Sequence, residues 1–268
     1  TLSAALRIDN REPKWRRNLL QVRKNFVFRT VTLVVANSRA SAADVCEVHH
    51  VPERKCRVFY NSLADPLTQL DLGNASRAHS ELICVGRLDP TKGQDTLIRA
   101  VALFANDVPS VKVNFVGEGI EEAHLRQLAR ELGVEHQCVF VGSVSHHEVL
   151  RRMARATATV VPSRSEAFGL VNIESLAVGT PVVASSVGGI PEIIRDGVDG
   201  FLVPPDEPSA LAAKLRLILT DKALWQRMTV SARERFLTTF EQNRIVAAQA
   251  DWLVQILGCQ CKSREWLI

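Results

Sequence analysis

Between residues 81 and 205 the chain repeats one pattern, a short apolar run, a turn and an amphipathic stretch, until six runs have passed. The runs are ELICVGR (81–87), VKVNFVGEG (111–119), CVFVG (138–142), TATVVPS (157–163), PVVASS (181–186) and GFLVPP (200–205). Most are too apolar to leave a face for water, which marks strands covered on both sides. The stretches between them, 93–105, 121–133, 145–156, 169–179 and 189–196, carry helical spacing, and Pro208 opens another helix to Leu219. Ser145 with Glu148 resembles a capping box, and Gly133 and Gly179 stand where helices stop. Strand and helix in strict alternation predict an α/β fold with a Rossmann-like, doubly wound parallel sheet and right-handed crossovers. Ligands of such sheets bind beyond the carboxyl ends of the strands, so chemistry is sought there.

Outside this region the pattern changes. TVTLVVANS (30–38) reads as a buried strand, Ser38 as the cap of a helix over 39–50, and KCRVFYN (55–61) as a second strand. Residues 62–80 are polar and aperiodic, which suits a linker or hinge. Residues 221–258 read as two amphipathic helices without a strand between them, and the tail 259–268 has no assignment.

Charge excludes some functions. A net charge of +4 over 268 residues is too small an excess to indicate nucleic-acid binding. The excess is concentrated before residue 31, where eight cations face Asp9 and Glu12. Residues 14–29 would form a helix with an apolar stripe and a basic rim, suited either to core packing or to contact with an anionic membrane surface. No signal peptide opens the chain and no run approaches a membrane span, so a cytoplasmic setting is expected, peripheral on the membrane face if the basic helix docks there.

Cysteine and histidine add little. Cys46, Cys56, Cys84 and Cys138 sit singly in or beside apolar stretches, as buried thiols do, and Cys259 with Cys261 has no matching ligand cluster. The seven histidines form no metal-ligand spacing and read as surface or capping groups. No metal and no cofactor are expected.

The strand ends carry the candidate chemistry. The first run ends at Gly86-Arg87, and Lys92 follows across a turn, so two cations flank the mouth of the sheet, either as a diphosphate site or as solvated surface charge. Gly117-Glu118-Gly119 begins like a dinucleotide fingerprint, but Glu122 replaces its third glycine, which argues against nicotinamide. The fourth run leads into Ser163-Arg164-Ser165-Glu166-Ala167-Phe168-Gly169-Leu170, with Glu174 in the helix that follows. Backbone amides near Gly169 would suit a phosphate, and the two carboxylates would accept bonds from sugar hydroxyls or serve as surface and capping groups. Ser185 to Glu192 is a further Gly-rich turn that either lines a pocket or only permits a bend.

Taken in order, VGRLDPTKG (85–93), FVGEG (115–119), VFVGSV (139–144), VVPSRSEAFGLVNIESLAVGTPVVASSVGGIPEII (160–194) and DGFLVPP (199–205) resemble the retaining glycosyltransferases of GT-B fold, family 4 type, also called glycosyl transferases group 1. Glu166 and Glu174 match that family's E-x7-E signature. The resemblance runs roughly over 31–257 and implies the end of a first, acceptor-side domain (1–61), a hinge (62–80), a nucleotide-sugar-binding domain (81–239) and a terminal helix that crosses back (240–258). It departs at Asn61-Ser62, where the family usually has Asn-Gly, and in that most of the first domain does not stand in the chain.

The resemblance also implies roles. Arg87 and Lys92 would neutralise the donor diphosphate, and Glu166 would hold donor-sugar hydroxyls. The amides of Phe168, Gly169 and Leu170 would face sugar and phosphates, and Glu174 the ribose. Gly142 and Val144 would border the base, with Gly86, Gly117 and Gly119 shaping the turns around them. The implied activity is transfer, with retention, of a sugar from a UDP- or GDP-sugar to a glycan or lipid-linked acceptor. The alternatives are a non-catalytic nucleotide-sugar-binding fragment or pseudoenzyme module, and a nucleotide-sugar epimerase, against which the paired glutamates argue.

Overall fold

The computed structural model describes residues 27, 28, 30–68 and 80–257. The basic segment 14–29 lies outside the described residues apart from 27 and 28, as do 69–79 of the expected hinge and the tail 259–268.

Six parallel strands form the central sheet: β3 (Glu81–Val85), β4 (Lys112–Val116), β5 (Cys138–Gly142), β6 (Ala158–Val161), β7 (Val182–Ser185) and β8 (Gly200–Val203). Their order is β5-β4-β3-β6-β7-β8. The chain therefore builds outward from β3 to β5, returns, and builds outward the other way from β6 to β8. The switch point lies between β3 and β6, and it is there that a doubly wound sheet opens a crevice.

Before the sheet come β1 (Val34–Ala36), α1 (Arg39–His49) and β2 (Cys56–Val58), a βαβ unit whose two strands pair in parallel. Both strands are shorter than their apolar runs. The helices of the main sheet are α2 (Gln94–Phe104), α3 (Glu122–Glu131), α4 (His146–Arg155), α5 (Leu170–Ala177), α6 (Ile190–Ile193) and α7 (Pro208–Thr220). α8 (Lys222–Thr239) and α9 (Gln242–Leu257) close the described chain. None of these helices is long and apolar enough to cross a membrane.

The central strands β3, β6 and β7 bury both faces, as their composition requires, whereas the edge strand β5 leaves Val139 exposed and β1 leaves Val35 exposed, so the run 30–38 is not the buried strand expected of it. Leu82 and Cys84 of β3 pack with Leu97 and Val101 of α2, whereas Ile83 between them packs with Leu150 and Met153 of α4. Val183 of β7 likewise faces the first layer, and Val182 and Ala184 face Ile173 and Leu176 of α5. The period of two thus sends one strand into two cores. Burial drives the Cys84 thiol up to about 12, so it stays a neutral core group.

Capping follows the sequence closely. Ser38 accepts from the Ser41 amide at 2.9 Å to start α1, and Ser145 accepts from the Glu148 amide to start α4. The Glu148 carboxylate turns instead to Arg152, 2.8 Å away, as an i,i+4 pair. Two expectations need correction. His49 is a buried residue stacked on Phe28 with ring centroids 4.5 Å apart, so it is no surface group. Cys46 and Cys56 do not sit singly, because α1 and β2 bring their Sγ atoms to 3.4 Å.

Candidate functional site

The crevice at the switch point is built from the loops that leave β3 and β6. After β3 the chain makes one 3₁₀ turn, Pro90–Lys92, which the Asp89 carboxylate caps by accepting from the Thr91 amide at 2.9 Å. After β6 the loop 162–169 runs alongside it. Arg164 ties the two loops together: its amide donates to the Thr91 carbonyl, and its guanidinium donates to Pro90 O and to both oxygens of Asp95 at 2.9 and 2.8 Å. Burial opposes the charge on Asp95, but Arg164 overrides it and holds that carboxyl below its usual range. Asp206 completes the clamp at 2.7 Å.

This clamp delivers Lys92 and Glu166 to each other. Lys92 Nζ lies 2.6 Å from Glu166 Oε2, with the two side chains 26% and 17% exposed. They line a pocket of about 210 Å³ together with Cys84, Val85, Gly169 and Leu170. A half-buried ion pair at the mouth of a cleft keeps two charged side chains in place with little water around them.

Gly169 sets the far wall. It takes φ +95, a left-handed conformation that only glycine adopts without strain, and there α5 begins. Phe168, also at the pocket wall, is fully buried, with its ring against Tyr60 at 5.7 Å and Phe240 at 6.4 Å. Leu170 is 47% exposed. Asn172 donates to the Gly169 carbonyl at 3.1 Å from a wholly buried position, and its Oδ1 has no partner among the described residues.

The remaining sequence candidates lie around this pocket rather than in it. Arg87 extends into solvent with 81% of its side chain exposed, 3.3 Å from Asp89. Gly86, Gly117 and Gly142 sit together where β3, β4 and β5 end, with Gly117 donating to the Gly142 carbonyl at 2.9 Å. A Cβ on Gly117 would overlap the Gly86 carbonyl, and one on Gly119 the backbone of Leu88, so backbone crowding alone accounts for glycine there. Ser143 donates its amide to Glu118 at 3.2 Å, and Val144 packs on the α4 side of the sheet. Glu174, in the second turn of α5, is 17% exposed and faces His146 Nδ1 at 3.7 Å. Burial pushes the Glu174 carboxyl above its ordinary value, and His146 pulls part of the way back. The two glutamates of the signature thus have different partners, Lys92 and His146. Among the described residues no cluster of three or more His, Cys, Asp or Glu side chains could hold a metal.

From sequence alone Arg164 and Asn172 are named without a role for either, and His146 reads only as a surface or capping group; the structure makes all three members of this site. Arg164 finds Asp95 across 69 positions, which no local pattern signals.

Comparison with known proteins places these features in context. The family model described as "Glycosyl transferases group 1" matches residues 76–235, more than half of the chain. Among curated proteins, a glycogen synthase of Mycobacterium tuberculosis is 37% identical over 171 residues, 64% of this chain and 41% of that protein. A D-inositol 3-phosphate glycosyltransferase of Streptomyces avermitilis is 33% identical over 235 residues, 81% of this chain and 50% of that protein. The chain thus spans about half or less of the length of these relatives. Among solved structures, Anabaena Alr3699/HepE in complex with UDP-glucose superposes with a TM-score of 0.77 at 27% identity, covering 89% of this chain and 68% of that one.

Proposed function

Since the chain belongs to the glycosyl transferases group 1 family, with its GT-B type α/β fold, we propose that the crevice between β3 and β6 binds a nucleoside diphosphate sugar, with UDP as the nucleotide, and that the complete protein transfers the sugar to a glycan or lipid-linked acceptor with retention. The observation that carries this reading is the Lys92–Glu166 pair beside the Gly169 turn, at the switch point of the sheet. The UDP-glucose complex of HepE supports the choice of base.

In this reading the diphosphate takes Lys92 from Glu166 and lies along the amides that begin α5, where the helix dipole favours negative charge. Glu166, released from the lysine, accepts bonds from donor-sugar hydroxyls. Glu174 accepts from the ribose, and Gly142 and Val144 border the base near the ends of β4 and β5. Arg87, exposed in its side chain, folds onto the phosphates as charge builds on the leaving diphosphate. Lys92 and Arg87 then act electrostatically, because their attraction grows as the glycosidic bond to phosphate breaks. Retention follows from attack on the face the diphosphate leaves, guided by the departing phosphate oxygen.

Thermal unfolding with UDP-, GDP- and ADP-glucose tests the donor. UDP-glucose should raise the melting temperature by several degrees at concentrations well above its dissociation constant, with the other two giving smaller shifts. If no nucleotide sugar shifts the transition, the crevice is not a donor site.

A further inference from the structure

The loop that carries Glu166 is held not only by its own domain but also by the βαβ unit at the start of the described chain. The Ala167 carbonyl accepts from Ser38 Oγ at 3.1 Å and from Ser41 Oγ at 3.4 Å, both at the amino end of α1. The same helix end is seated on a carboxylate from the main sheet. Glu192, in α6, accepts from the Arg39 amide at 2.8 Å with one oxygen and from the Ala40 amide at 2.9 Å with the other. Tyr60, at the exit of β2, stacks its ring on Phe168 with centroids 5.7 Å apart. Gly188 and Gly189 close the other side. A Cβ on Gly188 would overlap the Glu166 carbonyl, and one on Gly189 would stand 2.7 Å from Ala167 O and 3.0 Å from Ser38 Cβ.

Residues 166–168 are therefore gripped between the Gly188-Gly189 turn and the cap of α1, and Glu192 locks that cap in place. A carboxylate that spans two helix-end amides is a strong, directional tie, because charge and dipole reinforce the hydrogen bonds. Its placement at a joint of two units, one turn beyond the glycines that abut Glu166 and Ala167, links the docking of α1 to the posture of Glu166.

We propose that Glu192 and Ser38 are positioning residues: by docking α1 on α6 they hold the 166–168 backbone so that Glu166 faces the donor sugar. This rests on the donor-site reading for its consequence, but the mechanical link stands on the contacts themselves. Neither residue touches the pocket, so the expected signature is selective. Loosening the joint should weaken contacts made to the sugar and spare those made to the nucleotide.

The test compares wild type, Glu192→Ala, Glu192→Gln and Ser38→Ala by two measurements. Hydrogen exchange of the free protein should show amides 166–169 exchanging about tenfold faster in Glu192→Ala, less so in Glu192→Gln, which keeps one acceptor, with β6 and β7 unchanged. Calorimetric titration should show UDP-glucose affinity falling about tenfold while UDP stays within about twofold. Unchanged exchange at 166–169 in both Glu192→Ala and Ser38→Ala overturns the coupling. Equal loss of UDP and UDP-glucose overturns the sugar-positioning role. If wild type binds neither compound, the donor reading fails, and the exchange data alone decide whether α1 holds the loop. Should Glu192→Ala fail to fold, Ser38→Ala and Glu192→Gln carry the same two measurements.

Discussion

Glu174 is costly to the fold, and the role proposed for it at the ribose would offset that cost only when a nucleotide is bound. Burial makes its charged form unfavourable, and His146 compensates only in part. Its folded-state proton affinity is therefore above the unfolded one, so the native state binds more protons over the interval between the two values. Stability then falls as pH rises through that interval and stays lower above it. Glu174→Gln should raise the melting temperature of the free protein by about two degrees at neutral pH, with little change in acid, where the wild-type carboxyl is protonated. The same variant should bind UDP about tenfold more weakly in calorimetry, as loss of a charge-assisted bond to a ribose hydroxyl requires. Unchanged UDP affinity, whatever the change in stability, would place Glu174 in the fold alone. Lys92 and Glu166 differ from it, since each already has a counter-charge at 2.6 Å.

At the scale of an element, α5 owes its position to a single backbone conformation. Gly169 turns left-handed so that the strand β6 and its loop can enter the helix beside the pocket. A Cβ there would press on Asn172 Nδ2 and stand 3.3 Å from Glu166 Cγ. Gly169→Ala should cost about 1–3 kcal/mol of stability from the strained backbone. It should also displace Glu166, so UDP-glucose binding falls with it. Urea unfolding and titration of the same sample check both. The helices elsewhere follow rules readable from sequence, with Ser38 and Ser145 capping as their spacing suggests. Gly169 was legible as a glycine before a helix, but its crowding by Asn172 and Glu166 was not.

For the whole molecule, the ties between the sheet domain and the rest matter most. Arg233 of α8 reaches across to Asp65 with both guanidinium nitrogens and donates to the Ala177 carbonyl at the end of α5. Nearby, Leu63 donates to Phe240 O and accepts from Gln242, so the chain at 63–65 is pinned to the junction of α8 and α9. Phe59 meets Trp252 of α9 edge-on at 5.0 Å, which brings the last helix back to the βαβ unit. Burial works against the Asp65 charge, but Arg233 and the Leu67 amide outweigh it and hold the carboxyl below its ordinary range. Its contribution is thus complete above the ordinary aspartate value and disappears as pH falls through the lower, folded-state value. Asp65→Asn should lower stability by about 2 kcal/mol at neutral pH, and the gap to wild type should close in acid, as chemical unfolding at the two conditions would show.

The six apolar runs determined the sheet, because strands that offer no polar face can be satisfied only between two layers of helices. The runs also pointed to the strand ends as the place to look for chemistry, and it was the resemblance to a known family, not spacing alone, that singled out the paired glutamates. Tertiary structure alone decided which of these groups meet. It drew Lys92 to Glu166, turned Glu174 toward His146, left Arg87 in solvent, and seated α1 on Glu192. Local order is written in short-range periodicity, whereas a contact across 74 or 152 positions depends on strand order and loop geometry, which no stretch of this chain encodes by itself.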